Sequence, residues 1–286
     1  MPMITESADI DRIRRDIDRI DDRIHDLLME RTALVEKVAQ TKATDDSVAL
    51  RPGREAEIMR RLAGRHQGRF PLPALARIWR EIMGALVGLQ KPFAIAVCQP
   101  ERGDGYVELA RDHFGVVWPK SVFSSPGQVV RAVADGQAAV GVVQLPHEND
   151  LEPWWLSLTA GSGNLPQVVT RLPVLTMSDI PGRAEPVEAF VIACRPHDDT
   201  GTDRTLIAVE TSPDLSRDRL RALFATAGLD NVSVIATHRA DDLSLYLCEL
   251  DGFVGAADPR LTALAGGKDV IRHVRIIGGY PLPLSL

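Results

Sequence analysis

Apolar residues recur at steps of three and four along the first forty residues of the chain. One row follows positions 10, 17, 24, 28, 35 and 38, and a second row follows positions 13, 20, 27 and 34. Together the two rows form one apolar stripe on a helix. A helix over residues 10–42 would be roughly 50 Å long, because each residue adds ~1.5 Å. The pattern therefore predicts a single helix that is longer than a small domain needs.

Charged side chains interrupt the same stripe. Arg14, Asp21, Arg31 and Lys42 all fit its heptad rhythm. An unpaired charge buried on such a face would be strongly destabilising, although a single Lys or Arg at the edge of a helix can extend to water. Three cations and one carboxylate in one stripe indicate that these residues pair with each other or bind an anionic ligand.

Two shorter helices follow in the periodicity. Pro52 suits the first turn of the second helix, and a loop over residues 64–73 precedes the third. The residues predicted to face the core from the third helix are Leu75, Ile78, Trp79, Ile82, Leu86, Leu89 and Gln90. Helices of such unequal length cannot cover the stripe of the first one, so we expect a second copy of the chain to pack against it.

After residue 91 the period changes from helical to strand-like, which predicts a domain boundary there. Strands over residues 93–98 and 138–143 alternate with helices over residues 106–114 and 128–134. This alternation is typical of a small parallel α/β layer. Further strands are predicted over residues 168–175 and 187–194, followed by a polar linker over residues 196–203.

The C-terminal part of the chain, residues 204–286, has a different order of elements. Its pattern predicts strand, helix, strand, strand, helix and strand, which is the ferredoxin-like β-α-β-β-α-β order. The predicted fold is therefore multi-domain: an all-α three-helix domain over residues 1–91, a small α/β lobe over residues 92–203, and the ferredoxin-like unit.

Composition narrows the class of protein. The chain has 286 residues, of which 45% are hydrophobic and 25% charged, as in an ordinary globular protein. A formal net charge of −6 argues against a nucleic-acid-binding surface. The three cysteines lack metal-ligand spacing, and no phosphate-binding glycine-rich loop is present, so we expect neither a metal nor a cofactor. Reduced cysteines, and the lack of a leader or a membrane-spanning apolar run, predict a cytoplasmic protein.

Residues 1–91 resemble the all-helical class of chorismate mutases. The motifs that carry the resemblance are the charged positions of the first helix, the Arg-Pro-Gly-Arg-Glu start of the second (residues 51–55), and the closing Leu-Gln pair (residues 89 and 90). The resemblance implies an intertwined homodimer that rearranges chorismate to prephenate without metal or cofactor. Such a site needs cations for two carboxylates and donors for an ether oxygen that gains negative charge.

The resemblance also implies a role for each matching residue. Arg14, supplied across the dimer interface, and Arg31 would bind the two carboxylates. Lys42 and Gln90 would donate to the ether oxygen and are the expected catalytic residues. The start of the second helix would supply three further substrate-binding residues, of which the last would bind the substrate hydroxyl: Arg51, Arg54 and Glu55. Arg51 is a departure, because a familiar member of this class has an Asp at that position.

The remainder of the chain resembles a reduced prephenate dehydratase followed by an ACT domain, as in bifunctional chorismate mutase–prephenate dehydratases. Residues 136–143 match one lobe of the dehydratase. Glu188, Ala189 and Phe190 stand where that enzyme has its catalytic Thr-Arg-Phe strand, so both Thr and Arg are missing. We therefore expect the dehydratase activity to be lost. Residues 276–281 are the best match to the ACT unit, which leaves room for an amino-acid effector.

Two alternative functions stay open on the residues alone. The helical part could be a dimerisation scaffold for a non-catalytic, metabolite-sensing module, or it could carry an isochorismate pyruvate-lyase. The mutase is favoured because four residues occur together: Arg14, Arg31, Lys42 and Gln90. A pure scaffold has no use for buried cations. Fusion to dehydratase-like and ACT-like units argues against the lyase.

Two polar or aromatic clusters outside these motifs also have functional interpretations. Residues 147–150, His-Glu-Asn-Asp, could be catalytic but are more simply a turn. Trp154 and Trp155 could stack on a ligand ring, although burial against the α/β layer is the simpler interpretation.

Overall fold

The computed structural model divides into two compact units, residues 1–46 and residues 47–286. The first contains one helix, and the second contains two helices and an extended α/β region. The residues that the structure describes are 3–41, 50–89, 92–100, 105–148, 150, 153–159, 165–176, 187–266 and 270–285.

The first unit is the long helix α1 (Met3–Thr41), which has 39 residues. At ~1.5 Å per residue it is roughly 58 Å long, so the prediction of one long helix is confirmed. Both apolar rows are largely exposed along it: Ile17 of the first row is 51% exposed and Leu27 of the second is 60% exposed, whereas Leu28 and Val35 are half-buried. Within the described part of one chain, α1 therefore presents its apolar face to solvent. No described helix is long and apolar enough to cross a membrane.

Helices α2 (Pro52–Arg65) and α3 (Leu72–Val87) belong to the second unit. The predicted core-facing side of α3 is wrong in part, because Ile78 and Leu89 are exposed. Leu86 is buried as predicted, and the other buried residues of α3 are Ala76, Arg80, Met83, Gly84 and Val87. The reason is that α3 packs on the next helix, α4 (Tyr106–Phe114), so closely that a Cβ at Gly84 would lie 2.2 Å from the carbonyl oxygen of Phe114.

Nine strands of the second unit form one mixed sheet, and two others form a short parallel pair. In chain order the strands are β1 (Ile95–Cys98), β2 (Lys120–Phe123), β3 (Val140–Gln144), β4 (Gln167–Leu172), β5 (Leu175–Thr176), β6 (Ala189–Ala193), β7 (Asp203–Thr211), β8 (Val232–Ala240), β9 (Leu243–Asp251), β10 (Ile271–Pro281) and β11 (Leu284–Ser285). The spatial order of the large sheet is β2-β1-β3-β6-β4-β10-β7-β9-β8, and β5 pairs with β11.

The predicted parallel α/β layer is confirmed at one end of the sheet, where β1 pairs in parallel with β2 and with β3. Alternate side chains of β1 enter two different cores. Ile95 and Val97 pack with the core that includes α4, whereas Ala96 and Cys98 pack with the core that includes α5 (Pro126–Ala134). The layer is thus covered by helices on both faces, as parallel sheets require.

The predicted β-α-β-β-α-β order is also observed, with α6 (Arg217–Thr226) and α7 (Pro259–Ala265) as its helices. Its strands lie in the order β10-β7-β9-β8 within the large sheet. β10 also pairs with β4 through one register pair, Gly278 with Val168. A Cβ at Gly278, whose φ is +134°, would lie 2.2 Å from the carbonyl oxygen of Val168. Only glycine therefore fits where the two parts of the sheet meet.

A short 3₁₀ helix (Trp154–Leu158) follows β3 and closes one core. Trp155 is fully buried and Trp154 is 3% exposed. The indole Nε1–H of Trp154 donates to the carbonyl oxygen of Gln144 at 3.1 Å. The interpretation of these residues as buried core is confirmed.

Candidate active site

Two predicted substrate-binding cations lie on α1. Arg14 is exposed and pairs with Asp11, with a nitrogen-to-oxygen distance of 3.4 Å. Arg31 is half-buried; its Nη1 is shielded from solvent and has no hydrogen-bond partner among the described residues. Burial lowers the pKa of the Arg31 guanidinium. An anionic oxygen is the partner that such a buried donor lacks.

Arg14 and Arg31 are far apart on the same continuous helix. They are separated by 17 positions within α1, which corresponds to about 25 Å along the helix axis. One chain therefore cannot place both guanidinium groups on one small molecule.

The start of α2 carries the other predicted residues that the structure describes. Arg51 is the N-cap residue, with φ −130°, and Pro52 occupies the first helical position. Arg54 is exposed and donates to Glu57 Oε2 at 2.8 Å, one turn further on. The glutamate beside it, Glu55, points into the second unit rather than to solvent.

Glu55 forms a buried ion pair with Arg80 of α3. Arg80 Nη2 donates to Glu55 Oε2 at 2.6 Å, and the two side chains are only 8% and 10% exposed. Arg80 Nε also donates to the carbonyl oxygen of His113 at 3.1 Å. In the single chain the Glu55 carboxylate is thus held by Arg80, and its predicted contact with a substrate hydroxyl stays a prediction.

His113 completes this buried network from α4. Its Nε2 lies 3.0 Å from Arg80 Nη2. Because a guanidinium only donates, Nε2 must accept, which assigns the proton of the neutral ring to Nδ1. Burial, followed by the charge of Arg80, lowers the pKa of His113 well below its ordinary value. The imidazole is therefore neutral and acts as a hydrogen-bond acceptor.

The two expected catalytic residues, Lys42 and Gln90, lie outside the described residues. The structure brings Arg51, Arg54 and Glu55 together in the first turn of α2 and places Arg14 and Arg31 on α1. Sequence reasoning missed Arg80, although a signal was available: Arg80 is a charge in the middle of an otherwise apolar row with helical spacing.

The region that resembles the dehydratase holds a different polar cluster. Arg171 Nη2 donates to Glu188 Oε1 at 2.9 Å, and Arg171 Nη1 donates to the hydroxyl of Tyr280 at 3.3 Å. The Tyr280 hydroxyl donates to Glu249 Oε1 at 2.5 Å. Burial raises the pKa of Tyr280, and Glu249 adds to this effect. Glu188, at the position compared with the catalytic Thr, is thus engaged in an ion pair.

The polar segment at residues 147–150 behaves as a turn. The backbone N–H of His147 donates to Asp150 Oδ2 at 2.9 Å. Glu148 forms an ion pair with Arg217 of α6. Among the residues described, no group of three or more His, Cys, Asp or Glu side chains is arranged to hold a metal ion.

Comparison with known proteins identifies the N-terminal part of the chain. Residues 13–91 match the family described as chorismate mutase type II. The match is confined to this part of the chain, and all seven predicted site residues fall inside it.

The curated relatives are bifunctional enzymes. The chain is 33% identical over 158 residues to a bifunctional chorismate mutase/prephenate dehydratase of Stutzerimonas stutzeri; the match covers 52% of this chain and 41% of the relative. The chain thus spans about two fifths of the length of the curated relatives it matches.

Solved structures give weaker likenesses. One is GqqA, a quorum quenching acylase, with a TM-score of 0.44 and 16% identity, covering 66% of this chain and 94% of that one. Another is a prephenate dehydratase from Streptococcus mutans, with a TM-score of 0.43 and 16% identity, covering 68% of this chain and 100% of that one.

Proposed function

We propose that the chain is a chorismate mutase that rearranges chorismate to prephenate. The observation that carries the proposal is the family match over residues 13–91, since it contains every residue of the predicted site. The half-buried Arg31 guanidinium supports it, because its Nη1 lacks a partner among the described residues, as expected for a group that binds a carboxylate.

The reaction is a rearrangement within one molecule, so the site acts by holding the substrate and stabilising its transition state. Arg14 and Arg31 bind the two carboxylates and keep the flexible substrate in its compact reactive shape. Lys42 and Gln90 donate to the ether oxygen as its bond breaks and negative charge develops. Arg51, Arg54 and Glu55 contribute from the start of α2.

We further propose that the active form is a homodimer in which Arg14 serves the site of the other subunit. The separation of about 25 Å between Arg14 and Arg31 along α1 supports this, because one chain cannot use both on one substrate. The exposed apolar rows of α1 supply the surface on which a second copy would pack.

For the rest of the chain we propose an effector-binding role without dehydratase activity. The β-α-β-β-α-β unit is ACT-like, supported by its strand order, and is the place where an amino-acid effector would bind. The dehydratase activity is lost, supported by Glu188 and Ala189 standing in place of a catalytic Thr-Arg pair.

One experiment tests these proposals together. The purified chain is given chorismate, and the products are separated and identified by chromatography, with and without added phenylalanine or tyrosine. We expect prephenate to accumulate without phenylpyruvate above the acid-catalysed background, and an added amino acid to change the rate if the ACT-like unit senses it. A parallel assay supplies isochorismate, from which release of pyruvate would indicate the lyase. Absence of turnover of chorismate would contradict the mutase.

Substitution of Lys42 tests the catalytic assignment. Lys42→Ala should lower turnover by a factor of hundreds, because an ammonium directed at developing charge in a dry site contributes several kcal/mol. Lys37→Ala is the matched control, since Lys37 is an exposed lysine near the C-terminal end of α1. Sedimentation should report the same assembly for all three proteins. Near wild-type turnover in Lys42→Ala would refute the assignment.

A further inference from the structure

The start of α2 is held by the segment that follows β6 in the α/β region. Arg195, just after β6, donates through Nη1 to the carbonyl oxygen of Leu50. Its Nη2 donates to Asp198 Oδ1 at 2.6 Å. The other oxygen of that carboxylate, Asp198 Oδ2, accepts from the backbone N–H of Gly53 at 3.0 Å. Arg195 and the predicted linker that follows it thus bind the start of α2 on both sides of its N-cap.

The bond from Gly53 to Asp198 is the one that an N-cap side chain normally makes. The first N–H groups of a helix lack partners within the helix, and an Asp, Asn, Ser or Thr at the N-cap accepts from the second or third helical residue. Here the N-cap is Arg51 and Gly53 is the second helical residue. An arginine side chain carries only donors. The capping acceptor therefore has to come from elsewhere, and Asp198 supplies it from about 145 residues further along the chain.

The local geometry is built for this contact. A Cβ at position 53 would lie 2.5 Å from the Cβ of Asp198, so only glycine permits the approach. Arg195 is 8% exposed, and burial lowers the pKa of its guanidinium, with Arg51 adding to that effect and Asp198 opposing it. The negative carboxylate also lies at the positive end of the helix dipole, which favours it.

A second set of bonds holds α2 about two turns further along. Arg60 Nη1 donates to Thr200 Oγ1 at 2.9 Å, and Arg60 Nη2 donates to the carbonyl oxygen of Thr202 at 2.9 Å. Thr200 in turn donates through its hydroxyl to Asp203 Oδ1 at 2.6 Å and through its backbone N–H to Asp203 Oδ2 at 2.8 Å. The segment that binds α2 is therefore itself ordered by Asp203, the first residue of β7.

We propose that Asp198, supported by Arg195, is a positioning residue of the mutase site. It caps α2 in place of a side chain at position 51 and so fixes the helical turn that carries Arg54 and Glu55. This inference rests on the proposed function, because the residues it positions are those expected to bind chorismate. If Asp198 has this role, the α/β region that contains it is a structural part of the mutase.

Hydrogen–deuterium exchange of the full chain tests the cap without reference to activity. In Asp198→Ala, amide exchange of the peptide covering residues 50–56 should rise about five- to tenfold, the effect of losing a typical cap. Asp198→Asn keeps one acceptor oxygen but places its NH2 group opposite the Arg195 guanidinium, so its exchange should rise less than that of Asp198→Ala. Asp199→Ala is the matched control, because this neighbouring carboxylate is exposed and accepts a local bond from the backbone N–H of Gly201.

Steady-state kinetics with chorismate test the positioning role on the same proteins. A loosened α2 start is binding-competent only part of the time, which raises KM, while saturating substrate restores the docked form. We therefore expect KM to rise severalfold in Asp198→Ala with kcat within about twofold of wild type. The rise should be smaller in Asp198→Asn, and Asp199→Ala should have near wild-type values.

The outcomes separate the two proposals. Unchanged exchange in Asp198→Ala, or an equal change in Asp199→Ala, would overturn the cap. Faster exchange with an unchanged KM would overturn the positioning role. A wild-type chain without mutase turnover would overturn the proposed function and leave the exchange result as the test of the cap alone.

Discussion

Burial decides how much the Glu55–Arg80 ion pair contributes to stability. Removing one partner of a buried pair leaves an uncompensated charge, which typically costs about 3 to 5 kcal/mol. We therefore expect Arg80→Ala to lower the free energy of unfolding by that amount, measured by urea denaturation with tryptophan fluorescence. Part of the loss would come from the bond to the His113 carbonyl oxygen.

The same helix offers a control for this prediction. Arg77 of α3 is also ion-paired, with Asp112 of α4, but the two side chains are 68% and 44% exposed. Exposed pairs contribute about 0 to 1 kcal/mol, so Arg77→Ala should be close to wild type. If both variants lost the same stability, burial would not be the cause.

His113 predicts a dependence of stability on pH. Burial holds its pKa well below the ordinary value, so the unfolded chain binds the proton more readily than the folded one. The stability that neutral His113 contributes is fully present above the unfolded pKa of about 6.5. It is lost as the pH falls below that value, at about 1.4 kcal/mol per pH unit.

Replacing His113 isolates this effect. His113→Gln keeps an acceptor near Arg80 but cannot titrate, so the slope of unfolding free energy against pH between about 6.5 and 5 should decrease by one proton. His197, whose pKa is also lowered by burial, leaves a residual slope. A His113→Gln slope equal to that of wild type would show that the folded protein protonates His113 as easily as the unfolded chain.

At the residue scale, sequence predicted chemical types better than partners. The cations at positions 14, 31 and 54 were predicted from their match to a known class of enzyme, and their binding of substrate stays a prediction. The partner of Glu55 was not, since Arg80 is 25 positions away and meets it only after α2 and α3 pack. Likewise nothing at position 198 signals that its carboxylate caps a helix starting at Pro52. Such pairings depend on tertiary structure, which local pattern does not contain.

At the scale of elements, prediction succeeded where periodicity was long. α4 was predicted with its bounds, and α1 was predicted with its type over residues 10–42, although it begins seven residues earlier. The face of α3 was misassigned, because its buried side is set by contact with α4 through Gly84. Glycine adds no apolar signal to the pattern.

Strand β2 was missed for a related reason. It has only four residues, lies at the edge of the sheet, and exposes Ser121 and Val122 to solvent. Its ladder with β1 is made by backbone groups, which carry no side-chain pattern. Short edge strands of this kind are defined by their neighbour rather than by their own sequence.

At the scale of the whole molecule, the proposed dimer makes a quantitative prediction. If Arg14 and Lys42 of different chains serve one site, mixing Arg14→Ala with Lys42→Ala gives heterodimers in which one site carries both defects and the other carries none. Two inactive proteins, unfolded and refolded together, should recover up to about a quarter of wild-type specific activity, since half of the dimers are mixed and each has one intact site of two.

Two controls complete that experiment. Each variant refolded alone should stay inactive, and mass spectrometry should confirm that heterodimers form. Confirmed heterodimers without activity would mean that the two residues do not act at a shared site.

The domain boundaries remain a prediction at this scale, but the sheet adds a fact that the sequence did not indicate. Predicted as separate domains, residues 92–203 and 204–286 contribute strands to one continuous sheet. Pairing between distant strands is non-local, and a periodic pattern indicates that a strand exists without indicating its neighbour.

The place of β10 in this sheet has a consequence for how the protein is made. β10 is synthesised after every other strand of the sheet, yet it lies between β4 and β7 and connects the two halves. Until residues 271–281 have left the ribosome, the edges of β4 and β7 that β10 covers stay unpaired, and unpaired edges are templates for wrong association. A frameshift shortly before residue 271 would therefore remove the strand that joins the two halves of the sheet.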